Sequence, residues 1–176
     1  MRNAATTDSV QRSGGDTGRF TGRREWSLEV QLDTDLHALL PDNYVRSTSE
    51  RLSLYMQLDN LESEEALQQF RLDLEDRFGP LPASGETLFD LMRLRHAGRV
   101  LGMEKIVLKK GVLKCYLLDG RYERYYQSAE FGKLLKAVQS SDGKIAIKQH
   151  KNAVFLELDG VYSAQKALVL LVEWAK

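Results

Sequence analysis

Apolar positions along this chain switch between two spacings, and each switch marks a different kind of element. Trp26, Leu28, Val30 and Leu32 alternate with polar residues, the period of a half-buried strand, and Pro41 then stops any regular element. From Ser47 the spacing becomes helical. Ser47 with Glu50 makes a capping box, and Leu54, Tyr55, Leu58 and Leu61 follow. Ser63 is the next N-cap, with Glu64 and Glu65 in the first turn, where the helix dipole favours carboxylates. Ala66, Leu67, Phe70, Leu74 and Phe78 form one apolar stripe; Gly79 ends it, and Pro80 and Pro82 prevent continuation. A third helix is expected from about Glu86 to Leu101, with Leu88, Leu91, Met92 and Leu94 inward, stopping at Gly102.

The period then becomes two. Ile106 and Leu108 precede Lys110-Gly111; Val112, Leu113, Tyr116 and Leu118 follow, and then Asp119-Gly120, so both dipeptides read as hairpin-type turns. Ser128 caps a short helix carrying Phe131, Leu134, Leu135 and Val138, and Asp142-Gly143 is a further turn. Ile145 and Ile147 make one strand; Val154, Leu156 and Leu158 make another. Asp159-Gly160 leads to a last helix, Ser163 to Trp174, apolar on nearly all sides and therefore expected between layers. The fold class is α+β: a helical half with a leading strand over 25–102, then a small, mostly antiparallel sheet with packed helices over 103–176.

Composition sets residues 1–24 apart. Gly, Ser, Thr, Asp and Arg dominate, with Val10 and Phe20 the large apolar residues, so this segment reads as a flexible linker or tail ahead of a domain over 25–176. The charge is balanced, 25 Lys+Arg against 25 Asp+Glu, which argues against a protein built chiefly to grip phosphate backbones. A local basic patch stays open: Arg12, Arg19, Arg23 and Arg24, with Lys109, Lys110 and Lys114, could serve a nucleic-acid-binding accessory domain. A single cysteine, Cys115, rules out an internal disulfide and fits a cytoplasmic location. The apolar run from Ala167 to Val172 is too short to span a bilayer, so no membrane partner is expected.

The chain offers little for bond-making chemistry. No GxxxxGK[ST], GxGxxG or GxSxG is present, so nucleotide hydrolysis by this chain is not expected. His37, His96 and His150 fall in three different elements and give no zinc spacing with one cysteine; His96 reads as a surface residue and Cys115 as a small buried hydrophobe. No cofactor, metal or catalytic group is assigned. One pattern stands out: Asp73 and Asp76 lie three apart on the second helix, and Glu65 and Gln69 extend their stripe by two turns, opposite Leu67, Phe70 and Leu74. This is either a solvated acidic face or a surface for a basic partner, with Arg77 beside it.

The corner Glu75-Asp76-Arg77-Phe78-Gly79-Pro80-Leu81-Pro82 resembles a signature of bacterial transcription-repair coupling factors. Leu40-Pro41-Asp42-Asn43-Tyr44-Val45, Arg51-Leu52-Ser53-Leu54-Tyr55, Leu94-Arg95 and Leu101-Gly102-Met103-Glu104-Lys105-Ile106 are similar to the motifs that flank it, in the same order. The resemblance runs from about Trp26 to Ile106; beyond Lys109 the reading rests on pattern alone. It implies the C-terminal domain of a large ATP-driven DNA translocase that displaces stalled RNA polymerase and recruits nucleotide-excision repair. Motor and polymerase-binding domains would belong to the parent protein, not this chain. The resemblance further implies that this domain packs on the N-terminal excinuclease-B-like module of the same protein. There it masks a basic surface that binds the excision-repair damage-recognition subunit, with Asp73 and Asp76 as docking residues and Arg77 as their neighbour.

Overall fold

A computed structural model describes Trp26 and residues 29–176; the arginines Arg12, Arg19, Arg23 and Arg24 and Leu28 lie outside the described residues. The elements run β1(Gln31–Thr34), α1(Thr48–Asp59), α2(Glu64–Phe78), α3(Ala83–Val100), β2(Met103–Lys109), β3(Val112–Leu117), α4(Glu123–Tyr126), α5(Ala129–Gln139), β4(Ile145–His150), β5(Ala153–Asp159) and α6(Ala164–Trp174). The architecture is α+β, as the change of period implies.

The helix starts follow the capping residues. Ser47 Oγ accepts from Glu50 N at 3.3 Å and Ser63 Oγ from Ala66 N at 3.1 Å. Glu50 uses its carboxylate elsewhere, on Arg77 of α2. Gly79 closes α2 at φ 86°, a conformation open to glycine. The third helix begins at Ala83, earlier than the sequence pattern indicated: Pro82 occupies its N-cap in an extended conformation, and Glu86 N already donates to Pro82 O at 3.0 Å.

The five-stranded sheet has the order β1-β2-β3-β5-β4; β1 lies parallel to β2 and every other pair is antiparallel. Lys110 (φ 52°) and Gly111 (φ 73°) make the β2–β3 turn. Asp119-Gly120, by contrast, makes no hairpin. Asp119 Oδ1 accepts from Arg121 N at 2.9 Å and the chain enters α4, because Tyr125 there is fully buried with its hydroxyl donating to Leu101 O at 2.8 Å. The antiparallel neighbour of β3 on that side is β5.

Strand parity gives the sheet two different faces. Ile106, Leu108, Leu113, Cys115 and Leu156 point to one side, where Leu91 and Leu94 of α3, Leu134 of α5 and Ala167, Leu171 and Trp174 of α6 complete a core. A second cluster, Leu40, Val45, Leu54, Leu58, Leu67, Leu74, Leu81, Leu88 and Phe89, holds α1, α2 and the N-terminal part of α3 together. Helices therefore pack on one side of the sheet. For this reason α6 is not sandwiched as its composition suggested: Val169 is 55 % and Val172 46 % exposed on its outer flank. Cys115 is buried, and loss of solvation pushes its thiol pKa up. No helix among the described residues is long and apolar enough to cross a membrane.

Candidate functional site

The acidic stripe belongs to α2, and the way α2 is held explains why the stripe stays charged and outward. Leu67 and Leu74 are buried, and Phe70 and Phe78 pack beside them, which turns Glu65, Gln69, Asp73, Asp76 and Arg77 to solvent. Gln69 Nε2 donates to Asp73 Oδ1 at 2.8 Å, one turn apart along the stripe. The cations of α2 are engaged elsewhere. Arg71 pairs with Glu86 on α3 and with Glu75 at 3.3 Å, and its guanidinium pKa is raised chiefly by the Glu86 hydrogen bond. Arg77 pairs with Glu50 on α1 and lies 4.7 Å from the Phe78 ring centroid. Among the described residues, Glu65 and Asp76 have no ion-pair partner. Carboxylates on this face are thus uncompensated by their own helix.

Asp73, Asp76 and Arg77 border a shallow groove of about 300 Å³ between α1 and α2, with Gln57 on the far wall and Leu54, Phe70 and Leu74 as its floor. An apolar floor with carboxylates at the rim can take the aliphatic stem and cationic head of a long basic side chain. No group of His, Cys, Asp and Glu with metal-holding geometry occurs among the described residues.

The backbone carrying the groove is clamped by side chains from the same motifs that carry the family resemblance. Leu40 N donates to Tyr55 Oη at 2.7 Å, Tyr44 Oη donates to Gly79 O at 2.8 Å, and Arg51 Nη1 donates to Val45 O. The Tyr44 and Phe78 rings meet at 5.7 Å. These residues position the corner, and Asp73, held by Gln69, and Asp76 stand exposed on it without an ion-pair partner among the described residues. On α3, Arg93 bonds Glu64 at 2.9 Å and Arg95 bonds Asp59, tying all three helices together.

Other sequence-derived candidates fall away from the groove. His96 is not a surface residue: it is half-buried, its Nε2 lies 2.9 Å from Leu61 O, and burial lowers its pKa. The alternating charges of α3 hid this, because Leu61 lies beyond the end of α1 and its approach is tertiary. Lys109 pairs with Asp33 at 2.6 Å, Lys114 pairs with Glu157 at 3.3 Å, and Lys110 sits in the β2–β3 turn. The sequence pattern marks Glu50 only as a capping-box residue and Glu86 only as a helix start, and gives Gln57 no role. A glutamate at N3 of a capping box reads as local, and only the packing of α1 on α2 reveals its second use.

Three comparisons bear on this geometry. The family model described as the TRCF domain matches residues 34–128. The transcription-repair-coupling factor of Escherichia coli strain K12 is 34 % identical over 80 residues, covering 46 % of this chain and 7 % of that protein. Its counterpart in Rickettsia typhi is 28 % identical over 134 residues, covering 76 % of this chain and 11 % of that protein. The chain thus spans about a tenth of the length of these curated relatives. A crystal structure of the C-terminal domain of a transcription-repair coupling factor superimposes with a TM-score of 0.68 at 16 % identity, covering 84 % of this chain and 91 % of that one.

Proposed function

The chain belongs to the TRCF domain family, and on that footing we propose that it is a docking and autoinhibitory module of a transcription-repair coupling factor. In this reading the α2 face bearing Glu65, Gln69, Asp73 and Asp76 packs on a basic surface of the N-terminal excinuclease-B-like module of the same protein. Docking masks the surface that recruits the damage-recognition subunit of excision repair, in a cytoplasmic protein that also meets RNA polymerase and DNA through its other domains. ATP hydrolysis and translocation belong to those other domains, and this one contributes binding.

One observation carries the reading. Arg71 and Arg77, the cations of α2, are held by Glu75, Glu86 and Glu50, which leaves the stripe of carboxylates free for a partner. Arg77 then acts by shaping the groove rim while neutralised by Glu50. Exposed ion pairs contribute about 0.2–1 kcal/mol each. A handful of them closes a switch that an engaged motor can open, which a deeply apolar interface would resist.

The test is charge reversal. Asp73→Lys combined with Asp76→Lys should weaken binding to the separately supplied N-terminal module by about tenfold. It should also raise capture of the damage-recognition subunit by the full-length protein. Glu173→Lys on α6, as exposed but remote, should change neither. Equal affinity of the doubly reversed and unaltered chains, measured by calorimetry, would sink the proposal.

A further inference from the structure

The uncovered face of the sheet carries groups that the docking face does not use. Register places Gln31, Lys105, Tyr116, Phe155 and Lys148 in one row across β1, β2, β3, β5 and β4. The Tyr116 and Phe155 rings stack with centroids 4.8 Å apart and planes at 26°. Lys105 Nζ lies 6.0 Å from the Tyr116 centroid, and Lys114 Nζ lies 5.7 Å from that of Phe155. The row itself contains no carboxylate. Lys114 and Lys148 converge on Glu157, one row along the strand. Phe155 is 8 % exposed yet belongs to neither hydrophobic cluster, so it is covered from the outer side by its ring neighbour and lysine stems. Lys151, exposed at the β4–β5 turn, adds a further cation at this end of the sheet.

We propose that this face binds single-stranded nucleic acid, with a base against Tyr116 and successive phosphates between Lys105 and Lys148. A ring pair flanked by cations is complementary to a polymer that alternates flat π faces with single negative charges. Strand spacing sets Lys105 and Lys148 about 14 Å apart, which leaves room for bases between two phosphate contacts. An acidic protein surface would satisfy the lysines but leave the ring row without a flat counterpart. The balanced charge of the whole chain does not oppose this, because the row itself carries Lys105 and Lys148 and no carboxylate. Glu157 is the built-in competitor. The hydrogen bond from Lys148 holds its carboxyl below the ordinary range, so it stays charged at neutral pH and occupies two of the lysines.

Fluorescence anisotropy of a labelled oligothymidylate of about twelve nucleotides, titrated with the intact chain at low and raised salt, tests this. Binding should weaken with salt at a log–log slope of about −1.4 to −2, the value for two or three phosphates on a single strand. Lys105→Glu with Lys148→Glu should weaken it at least about tenfold, and Tyr116→Ala by about tenfold, whereas Tyr116→Phe keeps the affinity. Glu157→Gln should tighten binding several-fold, an outcome that a purely structural role for the row does not produce. Glu173→Gln on α6, exposed and outside both faces, should leave it nearly unchanged, separating this face from the general surface. The proposal is overturned if the intact chain does not bind. It is equally overturned if binding survives the sheet substitutions and is lost when Arg12, Arg19, Arg23 and Arg24 are changed to Ser.

Discussion

Gly102 and Gly111 both hold left-handed backbone, at φ 72° and 73°, but their surroundings differ. A Cβ on Gly102 would overlap the ring of Tyr125, which is fully buried and anchored through its hydroxyl to Leu101 O at 2.8 Å. A Cβ on Gly111 would overlap the ring of Tyr162, which is 74 % exposed and able to swing aside. The backbone conformation alone costs an alanine about 1 kcal/mol at either site. Gly102→Ala should therefore destabilise by about 3 kcal/mol or more, the range of a core clash, and Gly111→Ala by about 1 kcal/mol. Urea denaturation of the two variants measures the difference. Equal midpoints would mean that Tyr125 can leave its site without loss.

Among the elements, α6 separates composition from environment. Its sequence reads as apolar all round, yet Ala164, Ala167, Leu171 and Trp174 are buried while Val169 and Val172 face out. Leu171→Ala should cost about 2–5 kcal/mol and Val169→Lys no more than about 0.5 kcal/mol, read as shifts in thermal or urea midpoint. A large loss at Val169 would mean that its flank is covered. Local signals made much of the fold legible: Ser47, Ser63 and Ser128 cap helices, Gly79 ends one, and period two marks β2 to β5. The acidic face of α2 was legible too, since three- and four-residue spacing fixes which residues share a side. Three features depend on tertiary contact and left no local trace. Asp119-Gly120 carries hairpin chemistry, but burial of Tyr125 directs the chain into α4. His96 sits among charges, but meets Leu61 O from another segment. The Lys105–Tyr116–Phe155–Lys148 row exists only once register across four strands is set.

At the scale of the molecule, a domain that closes a switch through a few weak ion pairs must move as one body, or partial opening would spend the docking energy. The two clusters are joined through α3, which gives Leu88 and Phe89 to the helical cluster and Leu91 and Leu94 to the sheet core. Phe89 is fully buried in the helical cluster and meets Phe70 of α2 at 6.2 Å, so its truncation acts first on that cluster. Both tryptophans, Trp26 and Trp174, lie in or against the sheet core and report on that side alone. Phe89→Ala should cost about 3–5 kcal/mol. If α3 couples the clusters, tryptophan fluorescence and far-ultraviolet dichroism will shift together to the same lower midpoint. A fluorescence midpoint that stays in place while the dichroism transition moves would show two units that open separately. An exposed acidic stripe on α2 could then not hold the sheet half in position, because strain at the docked helices would be relieved before it reached β2.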